Sequence, residues 1–135
     1  MLDEQLISLC RYRREKAKQC LITAKSTMLD GDYAASANRS YYAIFHGIRA
    51  VLALDSLDFK KHSVVIAKFR ERYIKSGVFD ISFSRIIGEA FDLGGECDYE
   101  DFYLVTKQEV EEQIQNASVF LKAVEEYMDE KISAS

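Results

Sequence analysis

Arg39 and His46 are the residues of this 135-residue chain whose types and spacing bear most directly on chemistry. On an α-helix, seven residues turn through about 700°, so the two side chains leave the axis within roughly 20° of one another and roughly 10 Å apart. Imidazole exchanges protons near neutral pH. Guanidinium offers a fixed fork of donors to phosphate oxygens. Both side chains are long enough to converge on one phosphate-sized object. Ala43, Ala50 and Ala53 fall on the same face and predict a shallow surface beside the pair, open to another helix or to a ligand. Tyr42 and Asn38 flank the pair with a hydroxyl and an amide. A plainer reading also fits the spacing, with Arg39 in an ion pair with Asp98 or Glu96 and His46 as a satisfied, half-buried ring.

These residues need a helix to position them, and the composition supplies long ones. Proline is absent and glycine occurs 6 times, which argues against a turn-rich β-sandwich. The length suits one domain over residues 1–135. The periodicity predicts a first helix from about Asp3 to Leu29, with Leu6, Cys10, Ala17, Leu21, Ala24 and Met28 inward and the pattern passing over Arg13. Gly31 ends it, and Asp32 caps the next. That second helix runs from Tyr33 to Leu54 and turns Tyr41, Ile44, Phe45, Ile48, Val51 and Leu52 toward the core. A third covers about Lys61 to Lys75, and a shorter element covers Ser82 to Leu93. A loop follows over residues 96–105, with Asp98 and Tyr99 anchoring it to the bundle. Thr106 and Glu109 have the spacing of a capping box, opening a last helix striped by Val110, Ile114, Ala117, Leu121, Val124 and Met128. The expected fold is all-α, an up-and-down four-helix bundle with an additional short helix.

Charge and cysteine content exclude several functional classes. Net charge is −4, but residues 1–76 carry +6 and residues 77–135 carry −10. Attraction between the two halves is the simplest use of that asymmetry. The basic run Arg11, Arg13, Arg14, Lys16 and Lys18 reads as a solvated face. Cys10, Cys20 and Cys97 form no C-x-x-C or Cys/His cluster, so neither a disulfide scaffold nor a zinc site is expected; Cys10 and Cys20 read as small buried hydrophobes. The most apolar stretch, Tyr41 to Leu54, is too short and too polar for a membrane span. Asp3 and Glu4 stand where a secretory leader would be basic. A cytoplasmic location with no membrane association is expected. His62, at a helix start beside Lys61 and Ser63, reads as a surface or capping residue.

The string Ala37-Asn38-Arg39-Ser40-Tyr41-Tyr42-Ala43-Ile44-Phe45-His46 resembles the signature helix of HEPN domains, and most closely that of small stand-alone prokaryotic members. Arg39 and His46 match the family's Arg-x(4–6)-His motif. Lys61-His62-Ser63, Cys97-Asp98-Tyr99 and the helix from Thr106 are similar to its later segments. The resemblance implies a helical domain that forms a homodimer through the second helix. It also implies one of two roles. The first is a metal-independent endoribonuclease, often a toxin of a toxin–antitoxin or defence system. The second is a non-catalytic module that binds a nucleotide or a minimal nucleotidyltransferase. Arg39 and His46 would be catalytic, supported by Asn38, Tyr42, Asp98 and Tyr99, with no metal and no cofactor. RNA cleavage by transesterification would leave a 2′,3′-cyclic phosphate. The chain departs from the family in two places. Ile48 stands where nucleotidyltransferase-paired toxins carry a tyrosine, and Gly94 where relatives carry an arginine.

Overall fold

The computed structural model describes residues 2–95 and 104–134. Five helices account for them, with no strand among the described residues: α1 (Glu4–Leu29), α2 (Tyr33–Leu54), α3 (His62–Phe69), α4 (Ser82–Gly94) and α5 (Lys107–Ser133). The all-helical bundle expected from the periodicity is the fold observed. Asp3, Asp32 and Thr106 each accept a backbone N–H at a helix start, and Thr106 and Glu109 complete the capping box.

The third helix does not stay α-helical to its end. After Phe69 the chain passes through a π-helical turn, Arg70–Ile74. The wider turn lets Phe69, Tyr73 and Ile74 all face inward. The 13-residue α4 is built into the bundle, packing on both α2 and α5.

Helix α2 is the axis of the molecule and touches each of the other four helices. Tyr41, Ile44, Phe45, Ile48, Val51 and Leu52 are all buried, as the apolar face predicts. So is the α5 stripe Val110, Ile114, Ala117, Leu121, Val124 and Met128. The α1 stripe is less complete, since Leu6, Leu21 and Met28 are only half-buried.

The opposite face of α2 corrects the expectation of an open alanine surface. Ser36, Ala43 and Ala50 repeat every seven residues, and each is 0 % exposed. On α1, Cys10, Ala17 and Ala24 repeat with the same spacing and are likewise 0 % exposed. The Ser36 hydroxyl donates to the Ala24 carbonyl at 2.7 Å, so the two series face each other. Small residues on both sides let the backbones of α1 and α2 approach closely. The helix that uses the alanines is therefore α1 of the same chain, and they are not a free surface for a second subunit.

Part of the charge asymmetry is met within the chain. Lys18 of α1 pairs with Glu125 of α5 at 2.6 Å, and Arg14 with Asp129 at 3.7 Å. These pairs run α1 and α5 antiparallel. They are partly exposed and orient the helices more than they stabilise them. The basic run of α1 is thus divided: Arg14 and Lys18 face α5, Arg13 is buried, and Arg11 and Lys16 are exposed. No described helix is long and apolar enough to cross a membrane.

Candidate active site

Close contact along the small-residue seam leaves a groove at its edge. Tyr12, Lys16 and Gln19 of α1 line one wall, and Arg39, Tyr42 and His46 of α2 line the other, around about 590 Å³. The sequence placed Arg39, Tyr42 and His46 on one helical line, and all three open into this groove.

Arg39 is held from several sides. One guanidinium nitrogen, Nη2, donates to Asn38 Oδ1 at 2.8 Å, and Nη1 lies 3.9 Å from Cys20 Sγ. The guanidinium sits over the Tyr42 ring, 5.0 Å from its centroid. Asn38 is itself anchored, donating through Nδ2 to the Gly94 carbonyl at 2.8 Å. That carbonyl is among the last of α4, where no helical N–H remains to satisfy it. Asn38 therefore ties the end of α4 to Arg39, with no surrounding carboxylate involved. Among the described residues no acid forms an ion pair with Arg39. Asp98, Tyr99 and Glu96 lie outside the described residues.

Gly94 accounts for a departure from the family pattern. A Cβ there would fall 2.1 Å from the Ala37 carbonyl oxygen. The two backbones touch, and no arginine fits at this position.

His46 stands on the other side of Tyr42, with ring centroids 5.9 Å apart. Its Nδ1 is buried and has no hydrogen-bond partner among the described residues. Burial pushes the imidazole pKa down, and the charges of Lys16, Arg49, Arg39 and Arg13 push it further, to about 4. The ring is therefore neutral at neutral pH. Two of those cations share one acid: Arg49 bonds Asp58 at 2.9 Å, and Arg13 bonds it at 3.3 Å while also donating to the Arg49 carbonyl at 3.1 Å. Burial raises the Asp58 pKa, but the Arg49 hydrogen bond and the Arg13 charge outweigh it and hold the carboxyl below its usual range. Lys16 and Arg39 have no such acid among the described residues. The groove thus holds a neutral base beside Lys16 and Arg39, with one carboxylate, Glu15, on the same α1 wall, where it accepts from Gln19 at 3.3 Å; the two cations are placed to hold a phosphate.

Sequence reasoning missed Arg13, Arg49 and Asp58. The signal for Arg13 was present, since it interrupts the apolar pattern of α1 between Cys10 and Ala17. The reading of His62 is corrected. Lys61 occupies the cap position without a side-chain bond. The His62 ring stacks on Phe45 at 3.9 Å, and its Nδ1 lies 2.7 Å from the Tyr41 hydroxyl. It covers the aromatic end of the core. No group of three or more His, Cys, Asp or Glu side chains that could hold a metal exists among the described residues.

Comparison with known proteins identifies the family. The sequence profile of the HEPN domain matches residues 10–127. A "UPF0332 protein" of Thermotoga maritima is 29 % identical over 122 residues, covering 90 % of this chain and 92 % of the relative. Two proteins of Methanocaldococcus jannaschii, each named "putative toxin", are also similar. One is 28 % identical, covering 90 % of this chain and 86 % of the relative; the other is 31 % identical, covering 86 % of each. With a matching profile across most of its length and the signature pair in a shared groove, this chain belongs to the HEPN family.

Proposed function

We propose that this protein is a metal-independent endoribonuclease of the HEPN type, acting as a toxin like the relatives so named. The observation that carries the reading is the neutral, half-buried His46 ring beside an Arg39 guanidinium that no described carboxylate neutralises. RNA carries its own nucleophile in the 2′-hydroxyl. Cleavage requires a base to accept that proton, an acid to protonate the leaving 5′-oxygen, and cations to stabilise charge on the phosphate. His46 is unprotonated at neutral pH and supplies the base. Arg39, pre-aligned by Asn38 and Tyr42, and Lys16 supply the cations. A phosphate lying between them raises the affinity of the imidazole for a proton, which suits the same residue to the acid role.

One chain carries one such histidine. A two-fold dimer presenting two grooves to one strand supplies both base and acid. Because the alanine seam is occupied by α1, subunits would meet along the rim of the groove, where α2 shows Arg39, Tyr42, His46 and Arg49.

The test is cleavage of RNA in EDTA by the wild type and by His46→Ala and Arg39→Ala. The expected results are activity in EDTA, 2′,3′-cyclic phosphate ends, and losses of roughly 100- to 10,000-fold for His46 and 100- to 1,000-fold for Arg39. A wild type that cuts no RNA but binds a minimal nucleotidyltransferase would replace this reading with that of a binding module. Activity lost in EDTA and restored by magnesium would place the chemistry elsewhere.

A further inference from the structure

Tyr12 is 60 % exposed on α1, yet it lines the groove that holds Arg39 and His46. It contributes nothing to the core, and the α1–α2 seam does not need it. Its neighbours are suited to a nucleic-acid strand. Lys16 Nζ lies over the Tyr12 ring, 5.5 Å from its centroid, and Gln19, donating to Glu15 at 3.3 Å, continues the same wall with that carboxylate. The register of the antiparallel helices is fixed at two points. Arg39 reaches Cys20, and Arg13 reaches the Arg49 carbonyl. Between these points Lys16 comes level with the His46 turn, in keeping with the effect of its charge on that ring. Tyr12 lies one turn further along α1, about 5–6 Å beyond. The groove thus presents cations, then the imidazole, then an exposed aromatic face.

We propose that Tyr12 is a stacking platform for the nucleobase next to the phosphate held at His46. This rests on the ribonuclease reading and adds a substrate requirement to it. A base inside a duplex has both faces covered by its neighbours and cannot stack on the ring. An unpaired base can, and stacking on an aromatic side chain tolerates any base identity. Single-stranded RNA is therefore the form that the groove takes, with Lys16, Arg39 and His46 contacting the backbone and Tyr12 the base. Tyr12 is a specificity-determining residue and takes no part in proton transfer.

The experiment measures binding of a 2′-O-methyl oligoribonucleotide, which lacks the attacking hydroxyl and stays intact. Its single strand, its duplex and an abasic strand are titrated onto wild type, Tyr12→Ala and Tyr12→Trp. Loss of one stacked base weakens single-strand binding by roughly 5- to 150-fold in Tyr12→Ala, while Tyr12→Trp binds like the wild type. Duplex and abasic strands bind weakly and do not distinguish the variants. Equal single-strand binding by wild type and Tyr12→Ala overturns the platform and leaves the ribonuclease reading standing. A wild type that binds no RNA removes both. Light scattering supplies a further check: if Tyr12→Ala converts a dimer to a monomer, the ring is a subunit contact and the platform is refuted.

Discussion

Replacing His46 with glutamine should flatten the pH dependence of stability, because the folded state keeps this ring neutral. Its pKa falls from an ordinary 6.5 to about 4, first through burial and then through Lys16, Arg49, Arg39 and Arg13. Between those values the unfolded chain binds a proton that the folded chain refuses. Stability therefore rises with pH across this window: it is complete above about 6.5 and declines as pH falls toward 4. Full conversion of the difference gives about 3 kcal/mol. The ring is only half-buried, however, and water at the groove mouth screens the cations, so about 1–2 kcal/mol is expected. Asp58 works in the same direction but lower, because its carboxyl gives way only below its ordinary 3.8. The assay is urea unfolding followed by circular dichroism at pH 7.5 and 5.0, for wild type and His46→Gln. The wild type should lose about 1–2 kcal/mol more than the variant on acidification. Added phosphate at pH 5.0 should restore more stability in the wild type than in the variant, which keeps Lys16 and Arg39 but has no imidazolium to pair with the anion. Equal pH dependence in the two proteins would refute the argument that the fold lowers the proton affinity of this ring.

Two further substitutions test how the site is held. Gly94→Ala places a methyl group 2.1 Å from the Ala37 carbonyl oxygen and must push α4 away from α2. A loss of roughly 1–3 kcal/mol in thermal unfolding is expected, with reduced RNA cleavage as Asn38 loses its anchor. Ala50→Arg places a long cation in the α1–α2 seam, where Ala50 is 0 % exposed. It should unfold the chain, giving no folded monomer by circular dichroism, whereas a folded monomer would return the alanines to a subunit interface.

Local chemistry made much of this protein legible from residue types alone. Without proline and with glycine at only 6 positions, the chain had little alternative to long helices. Asp32 and Thr106 announced helix starts because a side-chain oxygen satisfies the free N–H groups of the next turn. The Arg39–Tyr42–His46 line was legible for a related reason, since helical geometry brings residues three and four apart onto one stripe whatever surrounds them. Which neighbour covers a stripe is a different matter, because that depends on residues far away in sequence. An alanine face suits any close-packed helix equally, and only the matching heptad of Cys10, Ala17 and Ala24 assigns it to α1. His62 reads as a polar residue at a helix start until its ring is seen stacked on Phe45. Gly94 reads as a lost arginine until the Ala37 carbonyl is found against it. The low proton affinity of His46 is likewise a property of the fold. It comes from burial and from Lys16 and Arg13, which stand on a different helix and reach the ring only once the bundle has closed.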